Sequence, residues 1–418
     1  MKYILSIGMN DYRNRLGGTN KVILEQRKLL KEHGYGYIYI CPVKERRDRL
    51  WEIILNNRFY CIRSTEQLLF FLYQFTDKGS QISEIHIHHL LGVSIDEVDR
   101  LLSGVEAKIK YYIHDYYTIC PSVKLLKNDV SFCGTEKMTE QKCEGCKYFA
   151  ESREKNARLR VFLKKYENRI VFVIPSDAAK EAWIRAFEEY EDRTAVIYHQ
   201  ELQGNYMGNR EPVEEKIKVG YLGETSYSKG WDVWNGLIDV VSEKPYYFFH
   251  FGKDKEAVKK MKNVSVNFQK KYNAMVNALR TKKMDCVLLW SLCEETYSYT
   301  YYESLASNTF VITNKQSGNI ARQVEIRKNG IVLDNEQELT DLFQNFDVLK
   351  KYINDYKVNG GAGPDNLSVN PQMLAYIDAA EEQKINVSGK MTVTWEETLF
   401  SIYYKILQIF YCMRKVLL

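Results

Sequence analysis

The sequence predicts an α/β protein built from two domains with parallel sheets. Short apolar runs typical of buried strands alternate with helical periodicity along most of the chain, which is the pattern of βαβ units. The 418 residues are enough for two domains of ordinary size. A polar stretch rich in turn residues, from Gln200 to Glu215, is the expected linker. We therefore expect a first domain over residues 1–203 and a second over residues 216–378.

The composition excludes some classes of function. Hydrophobic residues make up 45% of the chain and charged residues 27%, which is typical of a globular protein. The net charge of +5 is mild and forms no block, which argues against a nucleic-acid partner. The N-terminus lacks the apolar core of a signal peptide, and no stretch reaches the ~18 apolar residues that span a bilayer. We expect a cytoplasmic protein whose nine cysteines are thiols or metal ligands, not disulfides.

The stretch from Met284 to Gly318 carries the strongest functional signal. The apolar run Cys286–Trp290 predicts a buried strand, Tyr297–Ser307 predicts a helix, and Phe310–Thr313 predicts the next strand. Together these elements form one βαβ unit of a parallel sheet, with a polar loop between the first strand and the helix.

Two carboxylates mark this unit, Glu295 in the loop and Glu303 inside the helix. The helix is expected to open with Thr296, Tyr297 and Ser298, whose free N–H groups favour an anion. An anion site beside a carboxylate suits a ligand with one anionic part and one part rich in hydroxyls. A nucleotide-sugar fits that description.

Three further loops follow predicted strands, at the carboxyl ends where α/β sheets bind ligands. Gly17 and Gly18 separate the first strand from a helix, which suits either a phosphate site or a plain turn. His114 follows a strand and either faces a ligand or packs inside the first domain. In the second domain, Gly223 opens a strand-to-helix loop that carries Lys229.

Four cysteines, among them a C-x-x-C pair, fall in one polar segment. Their spacing suits a structural zinc site, although the irregular gaps fit idle or buried thiols equally well. The candidate ligands are Cys120, Cys133, Cys143 and Cys146. Such a site would fix the loop beside His114 without taking part in chemistry.

The segment E-T-Y-S-Y-T-Y-Y-E-S-L-A-S-N-T-F-V, from Glu295 to Val311, resembles the donor-binding signature of family 4 retaining glycosyltransferases, E-x-F-G-x-x-x-x-E-A-x-A-x-G-x-P-V. Lys229 matches the lysine of the family motif G-R-x-x-x-x-K-G. The resemblance implies the GT-B fold, in which two Rossmann-like domains face each other across a cleft. It also implies that residues 379–418 form a C-terminal helical segment that packs back toward the first domain.

The same resemblance implies a function and its residues. A sugar would pass from a nucleoside-diphosphate-sugar to a glycan or lipid-linked acceptor, with retained configuration and no cofactor for catalysis, in surface polysaccharide biosynthesis. Lys229 would hold the diphosphate, Glu295 the sugar hydroxyls and His114 the far side of the sugar, so these three are the expected catalytic residues. The expected donor-binding residues are Gly17, Gly18, Gly223, Thr296, Tyr297, Ser298 and, on the ribose, Glu303.

The motif is not complete. Ser298 and Asn308 stand where the family has glycine, and Glu224 stands at the arginine position of the lysine motif. Either a neighbouring cation replaces that arginine or the diphosphate is held more weakly. These departures keep two alternatives open, a GT-B pseudo-enzyme that serves as a scaffold for a transferase and a sugar-nucleotide epimerase.

The C-terminal segment has apolar residues at helical spacing, which predicts a helix with one apolar face. We expect that face to pack into the core; it comprises Trp395, Leu399, Ile402, Ile406, Ile409 and Met413. Aromatic and cationic residues elsewhere on the segment leave open a peripheral contact with the inner face of the cell membrane. They are Phe400, Tyr403, Tyr404, Phe410, Tyr411, Arg414 and Lys415.

Overall fold

The structure, a computed structural model, describes residues 1–14, 17–252, 260–267, 272–375, 385 and 392–417, with no side chain described beyond residue 409. The strands are β1 (Lys2–Ile7), β2 (Gly36–Pro42), β3 (Leu50–Leu55), β4 (Arg58–Ser64), β5 (Gln81–Ile87), β6 (Lys108–Tyr112), β7 (Leu126–Lys127), β8 (Ser131–Phe132), β9 (Ile170–Ile174), β10 (Thr194–Val196), β11 (Gln200–Gln203), β12 (Ile217–Leu222), β13 (Tyr246–Gly252), β14 (Lys262–Ser265), β15 (Cys286–Leu289), β16 (Phe310–Asn314), β17 (Gly330–Leu333) and β18 (Asn366–Val369).

The α-helices lie between these strands and cover the faces of two sheets. They are α1 (Gly18–Glu32), α2 (Thr65–Asp77), α3 (Ile95–Gly104), α4 (Glu140–Cys143), α5 (Phe149–Lys165), α6 (Asp177–Ile184), α7 (Trp231–Val240), α8 (Ala274–Lys282), α9 (Tyr299–Ala306), α10 (Asn319–Arg327), α11 (Glu336–Gln344), α12 (Phe346–Asn359) and α13 (Trp395–Leu417).

The first sheet has the strand order β10-β9-β6-β5-β1-β2-β3-β4. All neighbours are parallel except the pairs β2–β3 and β3–β4, which form an antiparallel edge. The strand order changes direction between β1 and β5, so the loops that follow these two strands diverge and leave a crevice between them. The loop of Gly17 and Gly18 follows β1, and His88 and His89 follow β5.

The second sheet is entirely parallel, with the order β14-β13-β12-β15-β16-β17. Its strands are buried on both faces, between one apolar cluster around Trp234 and another around Tyr301. The order changes direction between β12 and β15, which is again the position where open α/β sheets bind ligands. The loops that carry Lys229 and Glu295 follow these two strands.

The predicted fold class is confirmed, because two Rossmann-like bodies carry the predicted loops. Several details differ from the prediction. Strands β3 and β4 form a hairpin where the apolar pattern predicts a single strand over Phe59–Ile62, and α9 begins at Tyr299, two residues later than expected. The predicted linker begins as strand β11, while the predicted boundary between residues 378 and 379 lies outside the described residues.

The junction between the two bodies is a two-stranded antiparallel ribbon of β11 and β18. After β18 the chain returns to the first sheet, where the ammonium of Lys110 donates to the carbonyl of Ala375 at 2.6 Å. Ile385 forms an isolated bridge with Val105, at the end of α3. The chain therefore crosses between the bodies twice, and the two crossings are paired.

Helix α13 lies against β4, the edge strand of the first sheet. The expectation that its apolar row packs into the core is wrong. Trp395 is 79% exposed, and Leu399, Ile402, Ile406 and Ile409 are each about half exposed. The side chains of Met413, Phe410, Tyr411, Arg414 and Lys415 lie outside the described part.

Among the described helices, none combines the length and the apolarity that crossing a bilayer requires.

A buried ion pair fixes the base of the second domain. Lys357 on α12 and Asp285, just before β15, are 6% and 7% exposed, and their charged atoms are 2.6 Å apart. Asp285 also accepts the amide of Lys218 at 2.8 Å, and Lys357 donates to the carbonyl of Glu211 at 2.9 Å. The pair therefore joins α12, β12 and the linker.

We predict that Lys357→Met destabilises the protein by about 3 kcal/mol, because it leaves Asp285 buried without its counter-ion. The measurement is urea unfolding followed by circular dichroism. Lys351→Met, at an exposed position on the same helix, is the matched control and should leave the midpoint in place. Adding Asp285→Asn to Lys357→Met should restore part of the loss; a double variant no more stable than the single one would contradict this account.

Candidate active site

A cleft of about 390 Å³ lies between the two sheets, at the carboxyl ends of their central strands. Most of the predicted site residues line it, namely Gly18, His114, Gly223, Lys229, Glu295, Thr296, Tyr297 and Ser298. Gly17 and Glu303 do not. Gly17 caps the start of α1, and Glu303 is buried inside α9, behind the wall of the cleft.

Lys229 and Glu295 form an ion pair in this cleft. Lys229 Nζ lies 2.5 Å from Glu295 Oε1, and Ser291 Oγ donates to the same oxygen at 2.9 Å. Burial would raise the pKa of Glu295, but the ammonium and these two hydrogen bonds bring it below its usual value. Burial would lower the pKa of Lys229, and the Glu295 carboxylate raises it instead. Both groups therefore stay charged at neutral pH.

Two glycines allow the loops of this pair to approach each other. Gly230, directly after Lys229, has a φ of +75°, and a Cβ there would stand 2.3 Å from the carbonyl oxygen of Trp290. Gly318 has a φ of +58°, and a Cβ there would stand 2.6 Å from the amide nitrogen of Glu295. The sequence motif already contained the Lys229-Gly230 pair. The contact of Gly318 with Glu295 could not be predicted, because it depends on how the chain folds.

Ser298 precedes α9 with a φ of +68° and a ψ of 90°. This is a conformation that glycine adopts easily and serine does not, so replacing the family's glycine brings backbone strain as well as a side chain. Ser298 and Thr300 share a hydrogen bond of 3.1 Å, and both line the cleft. Asn308, the other departure, has a φ of +52°, which asparagine tolerates.

Behind α9, one lysine lies between two buried carboxylates. Lys21 Nζ is 3.6 Å from Glu303 and 4.0 Å from Glu25, and it stands 3.9 Å above the ring of Tyr299. Burial raises the pKa of Glu303 to about 6 and that of Glu25 to about 7, with Lys21 opposing both shifts. Glu25 and Lys21 lie on α1 and were not predicted, because nothing local in the sequence places α1 against α9.

His114 is held by a buried chain of hydrogen bonds. Its Nε2 is 3.1 Å from His88 Nδ1, and His88 Nε2 is 3.0 Å from Gln26 Oε1. Burial, followed by neighbouring histidines, lowers the pKa of both His88 and His114 well below the usual value, so both rings are neutral. Since Gln26 Oε1 only accepts, His88 donates from Nε2 and accepts at Nδ1. His114 therefore carries its proton on Nε2 and keeps Nδ1 as an acceptor.

The two bodies meet through the loop between Glu294 and Ser298. Thr296 Oγ1 donates to the carbonyl of His114 at 2.7 Å, and Ser176 Oγ donates to the carbonyl of Thr296 at 2.7 Å. Glu294 lies 3.5 Å from Arg185 of the first domain. The loop that carries the predicted catalytic carboxylate is thus fixed by residues of both sheets.

Lys124 of the first domain also enters the cleft and was missed by sequence analysis. Its ammonium donates to Ser228 Oγ at 2.5 Å, beside Lys229. Its charge also contributes to lowering the pKa of Glu295. The family's arginine position is Glu224, which lines the same cleft. A second cation is therefore present, although it comes from the opposite domain.

The four candidate zinc ligands, Cys120, Cys133, Cys143 and Cys146, line one small cavity of about 20 Å³. Cys133 Sγ donates to the carbonyl of Leu125 at 2.9 Å, and Cys120 Sγ is 3.6 Å from Ser152 Oγ. Across the described ranges, no set of three or more His, Cys, Asp or Glu side chains is placed to hold a metal ion. The structural zinc site stays a prediction.

No protein-family model and no curated protein matches the sequence. Solved structures do share its fold. Sucrose-phosphate synthase from Thermosynechococcus elongatus is 14% identical with a TM-score of 0.55, over 99% of this chain and 100% of that one. A glycosyltransferase from Rickettsia africae ESF-5 is 14% identical with a TM-score of 0.53, over 89% and 96%. WaaG, a glycosyltransferase involved in lipopolysaccharide biosynthesis, is 10% identical with a TM-score of 0.50, over 85% and 95%. The fold is therefore GT-B.

We predict that the stability of the protein depends on the protonation of Glu25. Its pKa is about 7 in the folded chain against an ordinary value of 4.5, so the folded state binds the proton more tightly. Stability from this group is present below pH 4.5 and is lost as the pH rises to about 7. Glu25→Gln should therefore gain roughly 3 kcal/mol over the wild type between pH 4.5 and pH 8, at about 1.4 kcal/mol for each pH unit that separates the two pKa values.

The measurement is chemical unfolding of both proteins across this pH range. Glu32→Gln, which breaks an exposed ion pair with Lys28 on the same helix, should show no such divergence. Parallel curves for Glu25→Gln and the wild type would show that Glu25 has the same pKa in the folded and unfolded chains, and would contradict the prediction.

Proposed function

We propose that this protein is a retaining glycosyltransferase that moves a sugar from a nucleoside-diphosphate-sugar to a glycan or lipid-linked acceptor, in surface polysaccharide biosynthesis. The ion pair of Lys229 and Glu295, at the start of α9 in the interdomain cleft, carries the proposal. In this one site, Lys229 and the free amides at the start of α9 can bind a diphosphate, and the carboxylate of Glu295 can accept hydrogen bonds from sugar hydroxyls. The sugar-transferring activities of structures with the same fold support it.

In the proposed reaction, the bond between the anomeric carbon and the diphosphate oxygen breaks, and negative charge builds on the leaving diphosphate. Lys229 and the first amides of α9 would stabilise that charge, since both are fixed before the reaction starts. The start of α1 at Gly18 lies across the same cleft and would add a second set of amides. The acceptor hydroxyl attacks the anomeric carbon, and its proton leaves with the diphosphate or solvent.

The sugar and the ribose would be held by different acids. Glu295 stays ionised and therefore accepts hydrogen bonds from sugar hydroxyls, while His114 offers Nδ1 as an acceptor from the other domain. Glu303, which resembles the family's ribose-binding acid, lies behind the cleft wall beside Lys21. Lys21 Nζ stands 3.6 Å from Glu303, and the carboxylate is otherwise without a close donor among the described residues, so it would be free to accept a ribose hydroxyl only if the wall between α1 and α9 opened.

Lys124 would take the place of the family's arginine. Its ammonium is held beside Lys229 through Ser228, so both cations can contact one diphosphate. Because Lys124 belongs to the first domain, the donor would be held by both domains at once, and the site is complete only when the cleft is closed.

We predict that Lys229→Met and Glu295→Gln each lower the turnover of the nucleotide-sugar by about 10²–10³-fold, since each removes one fixed charge from the reacting centre. A thermal-shift panel of UDP, GDP, ADP and CDP first identifies the base, and the matching nucleotide-sugars are then assayed for nucleoside diphosphate release. Lys260→Met, which breaks an exposed ion pair with Asp239 in the same domain, is the control.

Unchanged turnover in both variants would refute the proposed role of the pair. Tight nucleoside diphosphate binding without release from any donor would instead favour the scaffold function that the departures at Glu224 and Asn308 suggested. An epimerised donor formed without acceptor would identify an epimerase.

We predict that Lys124→Met weakens nucleoside diphosphate binding about tenfold, the loss expected for one charge-assisted hydrogen bond. Isothermal titration with the nucleotide chosen by the panel measures it. Lys137→Met, at an exposed position of the same segment, is the matched control. Equal affinities of the Lys124 variant and the wild type would leave Lys229 as the principal side-chain cation for the diphosphate.

A further inference from the structure

Helix α13 contacts the protein through a mixed side, on which the rings of Phe400 and Tyr404 pack against a small apolar cluster around Ile62. Glu397 accepts the amide of Ser64 at 2.8 Å, and Ser401 accepts the amide of Ile62 at 2.9 Å. These amides belong to β4, whose outer edge has no neighbouring strand in the first sheet. An uncovered strand edge exposes amides that need hydrogen-bond acceptors, and this side of α13 supplies two of them.

The opposite side of α13 is apolar and exposed, and we call it the outer face of α13. Its members and exposed fractions are Trp395 79%, Leu399 57%, Ile402 54%, Tyr403 47%, Ile406 47%, Leu407 42% and Ile409 54%. At 1.5 Å per residue, the row extends for about 21 Å along the helix. Contiguous apolar surface of this kind marks a site of interaction with another body.

Cations surround the outer face. The turn at residues 44–49 is exposed and contains four basic and two acidic residues. Arg46 and Arg49 each lie 2.9 Å from Glu396, so the acid at the border of the outer face is neutralised. Lys405 is exposed on the helix itself. The border of the apolar row is therefore positively charged.

A cationic cavity of about 740 Å³ lies beside the turn between β3 and β4. Phe59 lines it and also stacks on Tyr404 of the helix, with ring centres 6.4 Å apart. Arg27, Lys31 and Arg58 face the cavity, and none of the residues that line it is acidic. The Nε of Arg27 is buried and donates to no acceptor in the described chain. The cavity thus suits a phosphate group.

We propose that the outer face of α13 docks on an anionic lipid bilayer, with the helix in the plane of the headgroups. The apolar row would enter the boundary of the acyl chains, as interfacial helices with apolar and cationic sides do. The basic turn and Lys405 would contact anionic headgroups, and the cavity would receive one headgroup phosphate. A second copy of the chain fits the outer face less well, because pairing would bring two cationic borders together. This inference does not depend on the proposed transferase activity.

The test is flotation of the full chain with phosphatidylcholine vesicles that contain or lack phosphatidylglycerol. We expect binding to the anionic vesicles to exceed binding to the neutral ones by at least about tenfold and to weaken with salt. Ile402→Glu combined with Ile406→Glu should reduce the binding at least about tenfold, since both side chains would leave the acyl boundary. Lys405→Glu should act mainly on the anionic vesicles.

Ile326→Glu, at an isoleucine that is 63% exposed on α10, is the matched control and should bind like the wild type. Because the substituted positions are exposed, the variants should keep the wild-type circular dichroism spectrum and unfolding midpoint. Wild-type chain that stays with neither vesicle, or variants that bind as well as it does, would overturn the proposal. The proposal would also be overturned if light scattering showed that the wild type is a dimer and that the double variant Ile402→Glu with Ile406→Glu is a monomer.

Discussion

The contact between Lys229 and Glu295 is the interaction on which the cleft depends. A carboxylate in a partly buried loop keeps its charge only if a cation stands beside it, and here that cation comes from the loop after the adjacent strand. Parallel neighbours β12 and β15 bring the two loops to the same edge of the sheet, and Gly230 and Gly318 let them approach. The position of the start of α9 in the cleft and the contacts of Thr296 with the first domain then follow from the position of one loop.

Much of this arrangement could be predicted from the sequence because its signals are local. Each of these signals, whether a buried strand, the loop of Gly17 and Gly18 or the spacing from Glu295 to Glu303, occupies only a short stretch of the chain. The parallel pairing of β12 with β15 then follows from general rules for α/β sheets. What could not be predicted are the contacts between distant segments, such as Lys124 beside Lys229 or Lys21 between Glu25 and Glu303. The spacing of apolar and polar residues does not show which residues of the first domain face the second domain.

The C-terminal helix shows a different limit. Its periodicity correctly indicates two faces, but the assumption that the apolar one turns inward is wrong. The inner side faces β4, where Glu397 and Ser401 accept hydrogen bonds from edge amides and the rings of Phe400 and Tyr404 pack against a small apolar cluster. The orientation of the helix therefore combines hydrogen bonds to a sheet edge with the burial of two aromatic rings, and it leaves the aliphatic row outside. The hairpin of β3 and β4 that creates this edge was itself not predicted.

The ribbon of β11 and β18 has a mechanical consequence. Two chain crossings that ran separately would let the lobes shear, twist and bend in any direction. Paired as antiparallel strands, and anchored where Lys110 holds Ala375, they behave as a flat strap that flexes about one axis and resists the other displacements. Opening and closing of the cleft would then follow a single direction, which returns its walls to the same alignment each time.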